Sequence, residues 1–295
     1  MDSLRSPLNS DVRVHNKGID EREVRSSHVC LFDGDIDLPQ DTPLYRYLSI
    51  EAFLYLREFS RLTVSKITDW PDSFEGSRYE FLRMAKKQEL SDVPKADFYA
   101  SCWTLQTEAR CLFSNDEQFG KAQQELSRCG SAAMWETYCS KGGVRIKTTL
   151  GKVDNLLASG LPNCKIFRGK VYYEPTDSWE KTINAPNLVS TLLHKRVSYR
   201  SESEYRFILL ADNPKQESIM SIQINDLFEL LDEILISPAT SSNIWLSRTL
   251  YNIAVGVSID FPRRTNPNDK DGCQFCRISQ LYSLVSETIG HVDMA

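Results

Sequence analysis

A chain of 295 residues with 35 Lys and Arg against 40 Asp and Glu carries a formal charge of −5, and 41% of its side chains are hydrophobic. That is apolar material for one large domain or two small ones, while 13 Gly, 12 Pro and 10% aromatics exclude collagen-like and disordered classes. No apolar run approaches the ~18 residues of a membrane span, the N-terminus holds no signal-peptide core, and the eight cysteines are expected reduced in a cytoplasm.

The first 40 residues hold five basic and eight acidic side chains, so most of the net charge lies there. The remainder is near neutral and lacks the basic footprint of a nucleic-acid binder. Residues 1–39 are polar, aperiodic and end in the Asp-rich DGDIDLPQDTP, which predicts a flexible arm. LYRYLS then alternates as a strand, and IEAFLYLREFSRL puts Ile50, Phe53, Leu54 and Leu56 on helical spacing. RLTVSKI reads as a strand broken by DWPDSFEG, with a helix from about 75 to 88. DFYASCWT is a core strand. EQFGKAQQELSR and SAAMWETYCS are two helices parted at Cys129-Gly130, and GGVRIKTT is a strand. KIFRGKVYYE, EYRFILLA, SIQIN, DEILISP and NIAVGVSID supply further strands. Helical pieces are expected at about 187–198 and 241–250. Strands and helices mix without regular βα alternation, so the fold class is α+β: mixed and antiparallel sheets with flanking helices. A single domain over 40–262 and a C-terminal extension over 263–295 complete the organisation.

Common catalytic signatures are missing: no Walker loop, GxGxxG, HExxH or GxSxG occurs. Cys273 and Cys276 have metal-like spacing, but a structural zinc site needs a second ligand pair, so no metal is expected. Gly142-Gly143 is most simply a helix C-cap entering a strand. Met134, Trp135 and Tyr138 form a core stripe by spacing, and Lys195-Arg196 suits either an anionic ligand or a solvated helical turn.

Three polar groups fall on expected strands or their edges. These are Arg46, flanked by Tyr45 and Tyr47; Ser101 to Thr104; and SESEYRF, whose Glu202 and Glu204 share a face by period-two spacing. Two carboxylates on one face must be solvated, paired with Arg200 or Arg206, or used.

The order of LYRYLS, RLTVSKITDWPDSFEG, FYASCWT, AMWETYCSKGGVRI, KVYY and HKRVSYRSESEYRFIL resembles the mostly bacterial domain of unknown function 2971 family, over about Leu44 to Leu210. The sequence departs from that pattern at Ser73, at Trp103-Thr104 where Phe-Ser is usual, and at Tyr199 where tryptophan is usual. At motif level, Arg, then Ser/Thr, then Glu-x-Glu is similar to the constellation of ADP-ribosyltransferases. That resemblance implies an ADP-ribosyltransferase-like arrangement and NAD as substrate. In it, Arg46 would hold the phosphates or ribose, Ser101 or Thr104 would brace the nicotinamide ribose, and Tyr47 or Trp103 would stack on the nicotinamide ring. Glu204 would stabilise the oxocarbenium-like transition state, and Glu202 would orient or deprotonate the acceptor.

The function so implied is an NAD-dependent ADP-ribosyltransferase or NAD glycohydrolase, a phage-defence or toxin effector with a protein, a nucleic acid or water as acceptor and a regulatory or antitoxin partner. The alternatives are a non-enzymatic ligand- or protein-binding module, and a metal-dependent nuclease in which Asp72, Glu75, Glu202 and Glu204 hold Mg²⁺.

Overall fold

The computed structural model describes residues 12–14, 29–31, 38–70, 72, 74–85, 97–106, 115–175, 189–211, 217–240, 250, 253 and 276–278. In chain order the elements are β1 (Val12–Val14), β2 (Val29–Leu31), β3 (Pro43–Ser49), α1 (Ile50–Phe59), β4 (Arg61–Lys66), α2 (Ser77–Ala85) and β5 (Phe98–Thr104). Next come α3 (Asp116–Cys129), α4 (Ala132–Cys139), β6 (Gly143–Thr149), α5 (Leu150–Gly160), β7 (Cys164–Lys170) and β8 (Tyr172–Glu174). The remainder are β9 (His194–Arg196), β10 (Glu204–Ala211), β11 (Ile219–Gln223), α6 (Leu227–Leu230), β12 (Glu233–Ile236) and β13 (Cys276–Ile278). The fold is α+β, with mostly antiparallel strands and flanking helices.

The chain forms two compact units, one from residues 1–44, 59–105 and 148–230, the other from 45–58, 106–147 and 231–295. In the first unit β10 lies between β5 and β7, antiparallel to both. β4 continues the sheet beyond β5, and β11 pairs with β4. The N-terminal lead-in contributes β1 and β2, with β2 parallel to β7. One sheet face carries Phe98, Ala100, Phe167, Ile208 and Leu210, and packs with Tyr79 and Leu82 of α2 and with Val189, Leu192 and Leu193. Tyr79 and Phe98 meet edge-on, with ring centroids 5.2 Å apart. Each such side chain removed from water contributes about 1.5–3 kcal/mol, and this cluster anchors that face.

The helix expected over 187–198 is not one helix. Two 3-10 turns, Val189–Leu193 and Val197–Glu202, flank β9, which pairs in parallel with β8. All five residues of the first turn are buried, a pattern with no solvent face for an amphipathic α-helix. Helix α5 was not expected, because it starts directly from strand β6 without a turn cluster. Its period was nonetheless present in Leu150, Val153 and Leu157, all buried, and Thr149 caps it by accepting from the Lys152 N–H. The strand NIAVGVSID and the helix at 241–250 lie almost wholly outside the described residues.

In the second unit, β6 lies between β3 and β12, and β13 runs parallel to β12. Asn115 caps α3, and Gly130 ends it with a positive φ of 76°, at the expected break. Tyr47, Met134, Trp135, Cys139 and Leu235 form the core cluster; Tyr138, expected in that stripe, is 42% exposed. Gly142 turns the chain at φ 97° after α4, its N–H donating to the Cys139 carbonyl at 2.8 Å. At Gly143 an added Cβ would run into the Leu48 carbonyl oxygen, so the glycine pair serves a cap and a close strand approach.

Candidate functional site

The first unit buries a dense group of charges. In the register of β10 on β5, Glu204 stands opposite Thr104 and Arg206 opposite Cys102, so these four share one sheet face. Arg206 grips Glu204 with both arms of its fork, Nε to Oε1 at 2.8 Å and Nη2 to Oε2 at 2.9 Å. Its Nη2 also donates to Glu75 Oε2 at 2.8 Å, its Nη1 to the Leu192 carbonyl, and the Trp70 ring stacks 4.3 Å from its Cζ. Glu75 is delivered by the Asp72–Gly76 turn, where the Phe74 N–H donates to Asp72 Oδ1 at 3.0 Å and the Glu75 N–H to the Asp72 carbonyl.

Lys195, from β9, completes the group. Its Nζ lies 2.6 Å from Glu202 Oε2, 3.1 Å from Glu75 Oε1 and 3.6 Å from Glu204 Oε2, over the Tyr199 ring at 4.6 Å. Glu202 reaches it from the end of a 3-10 turn, not from a strand. The strand begins only at Glu204, and the residue between, Ser203, is left-handed at φ 43° and ψ 50°. That single αL residue turns both carboxylates toward one ammonium, where period-two alternation was expected to do so. Tyr173 steadies the kink by accepting the Glu204 N–H at 2.8 Å. At the margin, Arg196 pairs with Asp72 at 3.0 Å, and Arg78 pairs with Glu174 beside His194.

Three carboxylates thus face two cations, and the proton affinities of Glu204 and Glu202 move in opposite directions. Burial works to raise the Glu204 carboxyl, but the Arg206 charge and hydrogen bonds, with Lys195, bring it down to about 2. Burial also raises Glu202; Lys195 opposes this, while Glu204 and Glu75 add to it, and the outcome is a carboxyl above its usual range. Burial lowers Lys195, yet Glu204, Glu202 and Glu75 together lift it well above an ordinary lysine. The Cys102 thiol is pushed far up by burial and by Glu204, which leaves it a poor nucleophile.

Among the residues singled out in the sequence, Glu202, Glu204 and Thr104 come together here. Ser101 and Trp103 occupy the opposite face of β5, where Trp103 Nε1 donates to Ser101 Oγ at 3.0 Å. Near them, Arg168 of β7 donates to the Tyr205 hydroxyl at 2.8 Å and pairs with Asp154 of α5 at 3.2 Å. Arg46 and Tyr47 belong to the second unit. Arg46 is half-buried on β3. The Tyr47 hydroxyl accepts from the Ser131 N–H at 2.7 Å and from Gln106 Nε2 at 2.8 Å, and its ring meets Trp135 edge-on at 4.7 Å. These contacts make Tyr47 part of the core of its unit.

From sequence, Glu75 reads only as a metal ligand, Lys195 as a solvated residue or an anion partner, and Arg206 as the counter-charge of a strand face. The usable signal was the SFEG turn ahead of a helix and the Arg two residues after Glu204. Lys195 holds the centre of Glu75, Glu202 and Glu204, the position a shared divalent ion would need, and no group of three or more His, Cys, Asp or Glu among the described residues is arranged to hold a metal. Cys273 lies outside the described residues, and no helix among them is long and apolar enough to cross a membrane. In comparisons with known proteins, the chain matches no family model, no curated protein and no solved structure.

Proposed function

We propose that this chain acts on the glycosidic bond of NAD, as an ADP-ribosyltransferase or NAD glycohydrolase, with Glu202 and Glu204 as its working carboxyl groups. The observation that supports this is geometric: Glu202 and Glu204 meet one buried ammonium at 2.6 and 3.6 Å while the Arg206 fork grips Glu204, and in these unlike surroundings Glu204 is displaced downward and Glu202 upward. Such a separation is how one site assigns distinct roles to two like groups. In this reaction the C1′–N bond breaks, and nicotinamide leaves with the bonding electrons as a neutral base. Glu204, kept ionised by Arg206, supplies fixed negative charge beside the oxocarbenium-like ribosyl centre. Glu202, whose proton affinity is raised by burial, takes the proton of the attacking acceptor, which is water, a protein side chain or a nucleic-acid base.

A second reading is favoured by one observation: both Glu204 oxygens are already engaged by Arg206. Under it the cluster is an internal brace, and the chain is a ligand- or protein-binding module. Incubation of the full chain with NAD, following nicotinamide release and label transfer, separates the two. The enzyme reading expects release that falls at least ~100-fold in Glu202→Gln and in Glu204→Gln. Folded protein that releases no nicotinamide with any acceptor sinks that reading, and a lowered melting temperature in Glu204→Gln then supports the brace.

A further inference from the structure

The cluster depends on one side chain to which neither reading of the carboxylates assigns a task. Lys195 touches Glu202 at 2.6 Å and Glu75 at 3.1 Å, with Glu204 at 3.6 Å. It stands 8% exposed on the face of the Tyr199 ring, so its ammonium is confined from several sides. The groups facing Glu202 include Lys195 from β9, Glu204 from the start of β10, Glu75 from the turn before α2, and Tyr173 from β8. Arg206 lies one step further, bound to Glu204 and Glu75. Of these, two are anions that disfavour a charge on Glu202, and Lys195 is a cation in direct contact with it at 2.6 Å.

We propose that Lys195 is the positioning residue of this site: its ammonium, anchored between Glu75 and Glu204, orients the Glu202 carboxyl and holds it as an anion ready to accept a proton. The proposal deepens the NAD reading, on which it rests for its catalytic meaning. Its physical core is independent of NAD: removing the ammonium leaves Glu202 facing Glu75 and Glu204 across a short, poorly solvated gap, and the proton then stays on Glu202 to higher pH. An opposite charge at contact distance shifts a carboxyl by roughly 1–3 pH units, which sets the expected size.

The test is a carboxyl ¹³C NMR titration of the full chain, with the Glu202 signal assigned by its loss in Glu202→Gln. In Lys195→Met the Glu202 midpoint is expected to rise by at least about one pH unit, and in Lys195→Arg to stay near wild type. If Lys195→Met does not fold, Glu75→Gln decides, because loss of one facing anion is expected to lower the midpoint. A midpoint unmoved in whichever variant folds overturns the proposal. The pH profile of nicotinamide release supplies the catalytic readout, and the acid limb in Lys195→Met should move up with the titration. Shifted titration without any NAD turnover retains Lys195 as the charge-setting group and rejects the NAD reading; turnover with an unmoved midpoint does the reverse.

Discussion

Two of the fully buried arginines, Arg145 of the second unit and Arg206 of the first, are treated very differently. In the second unit Arg145 meets one carboxylate, Glu233, at 2.8 Å, and its Nη groups also donate to the Leu126 and Ser127 carbonyls at the end of α3 and to Gln106, with its guanidinium over the Tyr45 ring. Charge is matched one to one, and the orphan carbonyls of a helix end are satisfied. In the first unit Arg206 shares Glu75 and Glu204 with Lys195, and Glu202 brings a third carboxylate. A brace needs only the first arrangement. The second gathers three carboxylates around two cations where desolvation is costly, an arrangement that stability alone does not reward and that sets the first unit apart.

The largest effect separating the two should come from deleting the arginines. Arg206→Met leaves Glu75 and Glu204 buried with Lys195 alone, and is expected to cost about 3–5 kcal/mol, a fall of roughly 10 °C or more in melting temperature. Arg145→Met should cost less, because the Glu233 side chain is 11% exposed. Double substitution makes the contrast sharper. Arg145→Met with Glu233→Met should recover most of the single loss, whereas Arg206→Met with Glu204→Met should recover less, since Glu75 and Glu202 then share Lys195 without the help of Arg206. Equal recovery in both pairs would show that the two sites are the same kind of brace.

Next in size is a split between the two glutamates. Glu204 sits below its ordinary 4.5, at about 2, so it contributes stability that is present above about pH 4.5 and is lost as pH falls toward 2. Glu202 sits above 4.5, so its contribution has the opposite sign, present at low pH and lost as pH rises through its folded value. At pH 7, Glu204→Gln should therefore lower stability by on the order of 3 kcal/mol, while Glu202→Gln should leave it unchanged or raise it. Thermal melts of both variants between pH 3 and 8 check this, and the gap between them should close in acid. The smallest effect belongs to the exposed Lys121–Glu117 pair on α3, at 2.7 Å with side chains more than 70% exposed. Lys121→Ala should change stability by no more than about 0.5 kcal/mol, which calibrates the melts against a surface ion pair.

Much of the scaffold was legible because its signals are local. FYASCWT carries β-formers end to end and becomes β5, and Cys129-Gly130 parts α3 from α4 through a positive-φ glycine. What escaped depends on residues distant in the chain. β9 exists through its pairing with β8, and that pairing splits a run that reads as one helix. The site was half legible: Glu202 and Glu204 stood out as a pair, but their relation arises from a left-handed serine that no propensity predicts. Ser101 and Trp103 looked like partners of Thr104 by adjacency, yet alternation along β5 sends them to the other face. Lys195 gains its role from three carboxylates on separate segments, and four residues converging from a turn, a short strand and a kink leave no mark in spacing.

The kink at Ser203 has a consequence for how the site is kept assembled. The Ser203 carbonyl accepts the Leu105 N–H at 2.9 Å, and the Glu204 carbonyl accepts the Val171 N–H at 2.9 Å. The backbone that carries both acids is therefore tied by main-chain bonds to the ends of two neighbouring strands, in addition to the side-chain bonds from Lys195 and Arg206. A local breath of the chain that opens those bonds would release both carboxylates into water together, and closing would restore both at once. The assembly of the charge cluster is thereby coupled to a few backbone bonds at the start of β10.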